Sequence, residues 1–178
     1  MRIAVQPERA RDVAAIAAVV RRAYAGVAYS DHREHEMVAR LRASAAFVPK
    51  LSLLAEVAGA PVGHVLLTRV AIRDGAHATP ALALAPLSVV PEYQGQGVGR
   101  ALVEAAHRRA RALGFGSVVV LGPPGYYRRF GYVPLGAYPI TVPLAVPAEQ
   151  QVIRPLSDGA LEGVRGTVAY PREWMDRA

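Results

Sequence analysis

Cysteine is absent from this chain of 178 residues, which excludes disulfides and a cysteine nucleophile. That absence fits a cytoplasmic address, which is the expected localisation. Lysine occurs once, at Lys50, so chemistry that needs a lysine in a particular loop has almost nowhere to be placed. No apolar run is long enough to cross a bilayer, and the first residues lack the apolar segment of a signal peptide. No membrane partner is therefore expected. Charge is scarce at 20%, against 52% hydrophobic residues, a balance that excludes a disordered chain. The length suits one domain over residues 1–178, with a core of about 1–156 and a short extension at 157–178.

The formal net charge is +7, carried almost wholly by arginine. The arginines are spread out (Arg21, Arg22, Arg108, Arg109, Arg128, Arg129) rather than massed in one tract. Dispersed cations of this kind read as solvated faces plus a contribution to a phosphate-bearing ligand, and nucleic acid is not an expected partner. A homodimer stays open.

The most informative stretch is Pro91-Glu92-Tyr93-Gln94-Gly95-Gln96-Gly97-Val98-Gly99-Arg100. It joins an apolar run, Ala81 to Val90, to a helical pattern over Ala101 to Leu113. Glycines at a strand-to-helix junction allow a tight turn and leave N–H groups bare where the helix dipole favours an anion. This is a phosphate cradle. It is not a P-loop, because Arg100-Ala101 follows Gly99 where Lys-Ser/Thr is needed. Its glycines run GxGxG rather than GxGxxG, so it is not a dinucleotide fingerprint.

Along the chain, Arg2–Gln6 reads as a strand, and Asp12 as the N-cap of a helix to about Tyr24 with Val13, Ile16, Val20 and Ala23 inward. A second helix is expected over His32–Ala43, with Met37, Val38 and Leu41 inward. Leu51–Val57, Val62–Ile72 and Ala81–Val90 form an antiparallel meander, and Pro86 predicts a bulge or opening in its third strand. The helix from Val98 to Leu113 leads to Ser117–Leu121, whose β-branched run suits a strand buried on both faces. Together these make a right-handed parallel βαβ unit. A short helix at Tyr126–Phe130 and strands at Tyr132–Pro134 and Gln151–Leu156 follow, the latter expected to be the last.

Gln94, Gly97 and Gly99 match the pattern Gln/Arg-x-x-Gly-x-Gly/Ala, preceded by Leu87-Ser88-Val89-Val90-Pro91. This resembles the acetyl-CoA signature of the Gcn5-related N-acetyltransferases (GNAT), and the order of elements agrees over roughly residues 1–156. Leu121-Gly-Pro-Pro-Gly-Tyr-Tyr-Arg-Arg-Phe-Gly-Tyr132 and the tail Leu161-Glu-Gly-Val-Arg-Gly-Thr-Val-Ala-Tyr170-Pro resemble its YhbS-like members. The resemblance implies an α/β (α+β) fold with a mostly antiparallel central sheet and one parallel βαβ unit. It implies transfer of an acetyl group from acetyl-CoA, as co-substrate, to a primary amine of a small molecule, peptide or protein.

Binding of the donor falls to the main chain of Gln96, Gly97, Val98, Gly99 and Arg100, with Gly95 in the turn and the Gln94 side chain holding loop or phosphate. Main-chain groups of Leu87 and Val89, freed by an opening at Pro86, pair with the pantetheine arm and thioester carbonyl. The family places the acid that protonates the departing thiolate on a tyrosine four residues before a Gly-aromatic pair; with Gly131-Tyr132 as that pair, Tyr127 takes the role and Tyr126 is its neighbour. Many relatives carry a glutamate base on the fourth strand, yet Ala81–Val90 contains no acidic residue. A hairpin centred near Gly75 sets His64 opposite Pro86–Leu87, which makes His64 the first substitute and Glu56 the second. The absent glutamate also motivates an alternative, a non-catalytic acyl-CoA-binding module or sensor. His32, His35 and Glu36 read as a solvated helix face rather than a metal site, and no metal is expected. Tyr29, Asp31 and His32 lie in the segment that lines the family's acceptor cleft.

Overall fold

The computed structural model describes residues 1–175. In chain order the elements are β1 (Ile3–Pro7), α1 (Val13–Tyr24), α2 (Glu34–Arg42), β2 (Phe47–Val57), β3 (Ala60–Asp74), β4 (His77–Val89), α3 (Val98–Ala112), β5 (Ser117–Leu121), α4 (Pro124–Tyr127), β6 (Val133–Pro134), β7 (Ile140–Thr141), β8 (Gln151–Pro155), β9 (Gly166–Ala169) and α5 (Arg172–Met175). One sheet runs β1-β2-β3-β4-β5-β8-β6, with β9 paired to β3 and β7. All but two of its pairings are antiparallel; β4 and β5, joined by α3, are parallel, as are β7 and β9. This is the mixed α/β sheet that the element order predicts.

β3 and β4 are longer than their sequence patterns suggest because hairpin pairing carries them to the turns at Ala58–Gly59 and Gly75–Ala76, whereas β2 is extended at its other end, from Phe47, which pairs with Thr68. Side chains alternate across the sheet, so its two faces bury different clusters. Leu53, Val65, Leu67, Leu82, Leu84, Val118 and Val120 meet Leu102, Val103 and Ala106 of α3 on one face. On the other, Leu54 and Leu66 meet Ile16 and Val20 of α1 and Val38 and Leu41 of α2. Val13, read as an inward residue, lies at the start of α1 and is exposed. Asp12 precedes α1 but does not cap it; its carboxylate instead accepts from the Arg9 main chain (2.8 Å) and guanidinium (2.9 Å), closing the 3₁₀ turn Ala10–Asp12.

Gln151–Pro155 is not the final strand. The chain returns to the sheet at β9, beside Ala71–Arg73 of β3. Gly166 permits this approach: its φ is +124°, and a Cβ there would collide with the Arg73 carbonyl. Trp174 then donates its indole N–H to the Thr68 hydroxyl at 3.1 Å. Gly166→Ala is expected to cost about 1–3 kcal/mol, read as a lower calorimetric midpoint. An unchanged midpoint would mean that the tail does not pack here.

Two buried polar groups of residues lie inside these clusters. Arg154 donates to His107 Nδ1 at 2.9 Å, and His107 Nε2 lies 2.8 Å from the Tyr132 hydroxyl. Arginine is only a donor, so Nδ1 is unprotonated and Nε2–H donates to Tyr132. Burial, then the charges of Arg154 and Arg111, depress the His107 pKa to about 3. Across the sheet, Glu8 accepts from Arg42 Nε (2.6 Å) and Nη2 (3.0 Å) and from the Ser52 hydroxyl. Ser52 Oγ in turn lies 2.9 Å from His64 Nε2. Burial alone would raise the Glu8 pKa, but hydrogen bonding toward His64, Arg42 and Ser52 outweighs it and brings the carboxyl to about 2. Burial pushes His64 down.

These shifts share one sign. A depressed folded-state pKa means that the unfolded chain binds more protons, so stability is full above the unfolded pKa and falls as pH falls. The His107 contribution is present above about pH 6.5 and lost toward pH 3. The Glu8 contribution is present above 4.5 and lost toward pH 2. The urea midpoint is therefore expected to drop markedly between pH 7 and pH 4. A flat profile would contradict the buried neutral imidazoles.

Candidate active site

The site grows from a defect in pairing between β4 and β5. The two strands are in register only at Leu82–Val118 and Ala83–Val119. Beyond that, β4 runs on to Val89 without pairing to β5, which β8 holds along its other edge from Ser117 to Leu121. Opposite β3 the register slips between Leu67↔Leu84 and Val65↔Leu87, so Ala85-Pro86 is bulged as the proline predicts. Past the slip, Val90 N–H donates to Val62 O at 3.0 Å. Antiparallel pairs alternate, so Leu87 and Val89 direct their main-chain groups away from β3, toward the gap beside β5. The Leu87 carbonyl there accepts from the Tyr24 hydroxyl (3.2 Å) and the Val89 carbonyl from the Gln94 side chain (3.0 Å). Their N–H groups face the same gap.

The gap opens onto the N-terminus of α3. A single 3₁₀ turn, Pro91–Tyr93, leads to Gly95 and Gly97 at φ +70° and +89°, conformations that glycine adopts without a Cβ clash. Gly97 is the N-cap, and no side chain caps the helix. The first N–H groups of a 15-residue helix therefore lie bare at its positive end. Gln94 and Gln96 are not aimed at that space; they hold the loop by donating to the carbonyls of Val89 and Glu92. Arg22 pins the loop to α1 through Glu92 at 2.8 Å. Gly99 serves a different neighbour, since a Cβ there would collide with the Tyr126 hydroxyl. Tyr126 therefore closes over the first turn of α3, with the Arg129 guanidinium 4.8 Å from its ring centroid.

Tyr127 lies deeper, at 7% exposure, edge-on to Tyr126 (5.1 Å) and Tyr132 (5.4 Å). Burial raises its pKa, and Tyr24, Tyr126 and Tyr29 add to the rise. A phenol in this setting keeps its proton at neutral pH. Tyr24 was legible only as the end of a helix, yet its hydroxyl reaches the β4 bulge.

The register argument for His64 needs correction. The extra residue at the bulge moves its partner to Ser88, not Pro86–Leu87. Its ring is wholly buried beneath α1 and α2, and Nε2 is engaged by Ser52. Glu56 accepts from Gln6 at 2.8 Å on the β1 side of the sheet, remote from β4. The second helix starts at Glu34, after a loop in which His32 takes φ +60° and its Nδ1 lies 2.9 Å from the Tyr24 carbonyl. His32 and Glu36 are thus held apart, the latter by Arg33 at 2.6 Å. Among the described residues, no three His, Asp or Glu side chains converge as a metal site. None of the described helices is long and apolar enough to cross a membrane.

Residues 49–134 match the sequence profile of the acetyltransferase (GNAT) domain. A GNAT family acetyltransferase from Brucella melitensis, solved in complex with acetyl-CoA, is 32% identical, with a TM-score of 0.80 over 97% of this chain and 98% of that one. The chain belongs to the GNAT family. Another GNAT structure, YhbS from Escherichia coli in complex with CoA, superposes with a TM-score of 0.89 at 27% identity, covering 100% of this chain and 94% of that one. In sequence, the uncharacterized N-acetyltransferase YjhQ of Escherichia coli K12 is 38% identical over 120 residues, 66% of either chain. The alignment with YhbS spans about half of that protein, 52%. The split β4–β5 pair and uncapped α3 described above are thus features of a GNAT fold.

Proposed function

We propose that this protein transfers the acetyl group of acetyl-CoA to a primary amine of a small molecule, peptide or protein. The observation that carries this reading is the split between β4 and β5 over the bare N-terminus of α3. It offers a phosphate site and an extended main-chain edge in one continuous groove, as a nucleotide with a pantetheine arm requires. The relatives solved with CoA and acetyl-CoA support that choice of ligand.

In this reading the pyrophosphate rests on the N–H groups of Gln96, Gly97, Val98, Gly99 and Arg100, with Gly95 making the turn and Gln94 bracing it. The pantetheine arm pairs with Leu87 and Val89. The Leu87 N–H lies beside the bulge, where a thioester carbonyl would need a donor for its developing negative charge. Tyr127 holds the proton that the departing sulfur takes. Isothermal calorimetry with acetyl-CoA, followed by thiol release over a panel of amines and peptides, tests the two halves separately. Absence of binding would refute the cradle; binding without thiol release would refute the transfer.

A further inference from the structure

Tyr24 is the last residue of α1, and it is held from several sides. Its ring packs against the cluster that Ile16, Val20, Leu54 and Leu66 build on that face of the sheet. Its carbonyl accepts from the Val27 N–H at 3.1 Å and lies 2.9 Å from His32 Nδ1. A carbonyl only accepts, so Nδ1 carries the proton. The hydroxyl leaves α1 altogether and donates to the Leu87 carbonyl at 3.2 Å, 63 positions along the chain. The loop that follows Tyr24 gives Tyr29 and Ser30 to the wall of a cavity of about 700 Å³ beside α2, and Tyr24 is not part of that wall. What the Tyr24 hydroxyl touches is β4.

Leu87 sits just past the defect in that strand. The register slip leaves Ala85-Pro86 without partners in β3, and proline has no N–H to offer. Pairing to β5 has ended at Ala83. Among the described residues, no strand covers the edge to which Leu87 and Val89 turn their main-chain groups. Each carbonyl on this edge is instead met by a side chain, Leu87 by Tyr24 and Val89 by Gln94. Gln94 is local, five positions from its partner, whereas Tyr24 reaches across from another element. In an extended residue the N–H and the C=O point to the same side, so a bond that fixes the carbonyl also fixes the direction of the N–H.

We propose that Tyr24 is a positioning residue for acetyl transfer: its hydroxyl holds the Leu87 main chain so that the Leu87 N–H meets the oxygen of the thioester carbonyl. This rests on the acetyl-transfer reading above and adds to it a residue outside the β4–α3–β5 unit. Attack by the amine moves electrons onto that oxygen. A donor fixed in advance stabilises the developing charge without reorganising at the moment of reaction. A donor free to swing loses that advantage. Tyr24 itself exchanges no proton. Burial raises its pKa, so the hydroxyl remains the donor to Leu87 at neutral pH.

The test uses the full chain and acetyl-CoA isotopically labelled at the thioester carbonyl, whose infrared stretching band reports the hydrogen bond to its oxygen. Tyr24→Phe keeps the ring and its packing and removes the hydroxyl alone. In this variant the bound carbonyl band is expected to move back toward that of free acetyl-CoA, with calorimetric affinity nearly unchanged. With spermidine, phenethylamine or a lysine-containing peptide as acceptor, kcat should fall by about one to two decades. Tyr127→Phe is the contrast: kcat falls while the band keeps its wild-type position, because a proton donor to sulfur does not touch the carbonyl oxygen. A wild-type band in Tyr24→Phe would overturn the positioning role and leave acetyl transfer intact. So would a wild type that binds acetyl-CoA with no shift of the band at all. A wild type that binds acetyl-CoA but releases no thiol with any of these amines would refute the transfer, whatever the band does, and the role of Tyr24 with it.

Discussion

Gly97→Val is expected to abolish acetyl-CoA binding, with calorimetric heats falling to the level of buffer dilution. The reason is main-chain conformation rather than space. An ideal Cβ at Gly97 meets nothing within 4 Å, yet the residue sits at φ +89° as the N-cap of α3. A β-branched residue is a marked outlier there, and the cost of forcing it is about 1–3 kcal/mol. The cheaper response is to rotate the peptide, which swings the N–H groups that follow away from their common focus. An anion site built from main-chain donors loses all of them together. The fold should survive, because Gly97 is exposed and packs against no core side chain. Retained affinity in this variant would show that the phosphates bind elsewhere. Gly99→Val makes a useful comparison, since its Cβ would displace the Tyr126 hydroxyl instead.

Tyr127→Phe should lower kcat by about two to four decades and leave the acetyl-CoA dissociation constant nearly unchanged. The hydroxyl is the only atom removed, and the ring contacts with Tyr126 and Tyr132 remain. A buried phenol whose pKa is raised holds its proton through the neutral range, so it is in the donating form whenever the thiolate leaves. Its desolvation also works against accumulation of the phenolate, which favours prompt return of a proton from solvent. Wild-type kcat in the variant would reduce Tyr127 to an aromatic of the core beneath the sheet.

Sequence made the donor half of the site legible because its signals are local. Gln94, Gly97 and Gly99 are five residues apart at most, and Pro86 announces a bulge in the strand that contains it. The side of the site formed by α1 and the loop before α2 is not local. Tyr24 gains meaning only when the bulge in β4 brings the Leu87 carbonyl to its hydroxyl and the loop folds back so that His32 meets the Tyr24 carbonyl. A non-glycine residue at φ +60° leaves little trace in composition. The His64 assignment failed through one inserted residue: the bulge changes each later β3–β4 partner by one. β9 was missed because four residues with a glycine among them carry little strand pattern, and their partners lie about a hundred positions earlier. His107 was findable, since it follows Val103 by four positions on the inward face of α3.

The cavity beside α2 draws its wall from three stretches far apart in the chain: 29–40, 144–146 and 174–175. None of them belongs to the β4–α3–β5 unit that carries the cradle. Substitutions at its exposed wall positions are therefore expected to leave acetyl-CoA affinity unchanged, whereas Trp174, bonded to Thr68, ties the last of these stretches to the core.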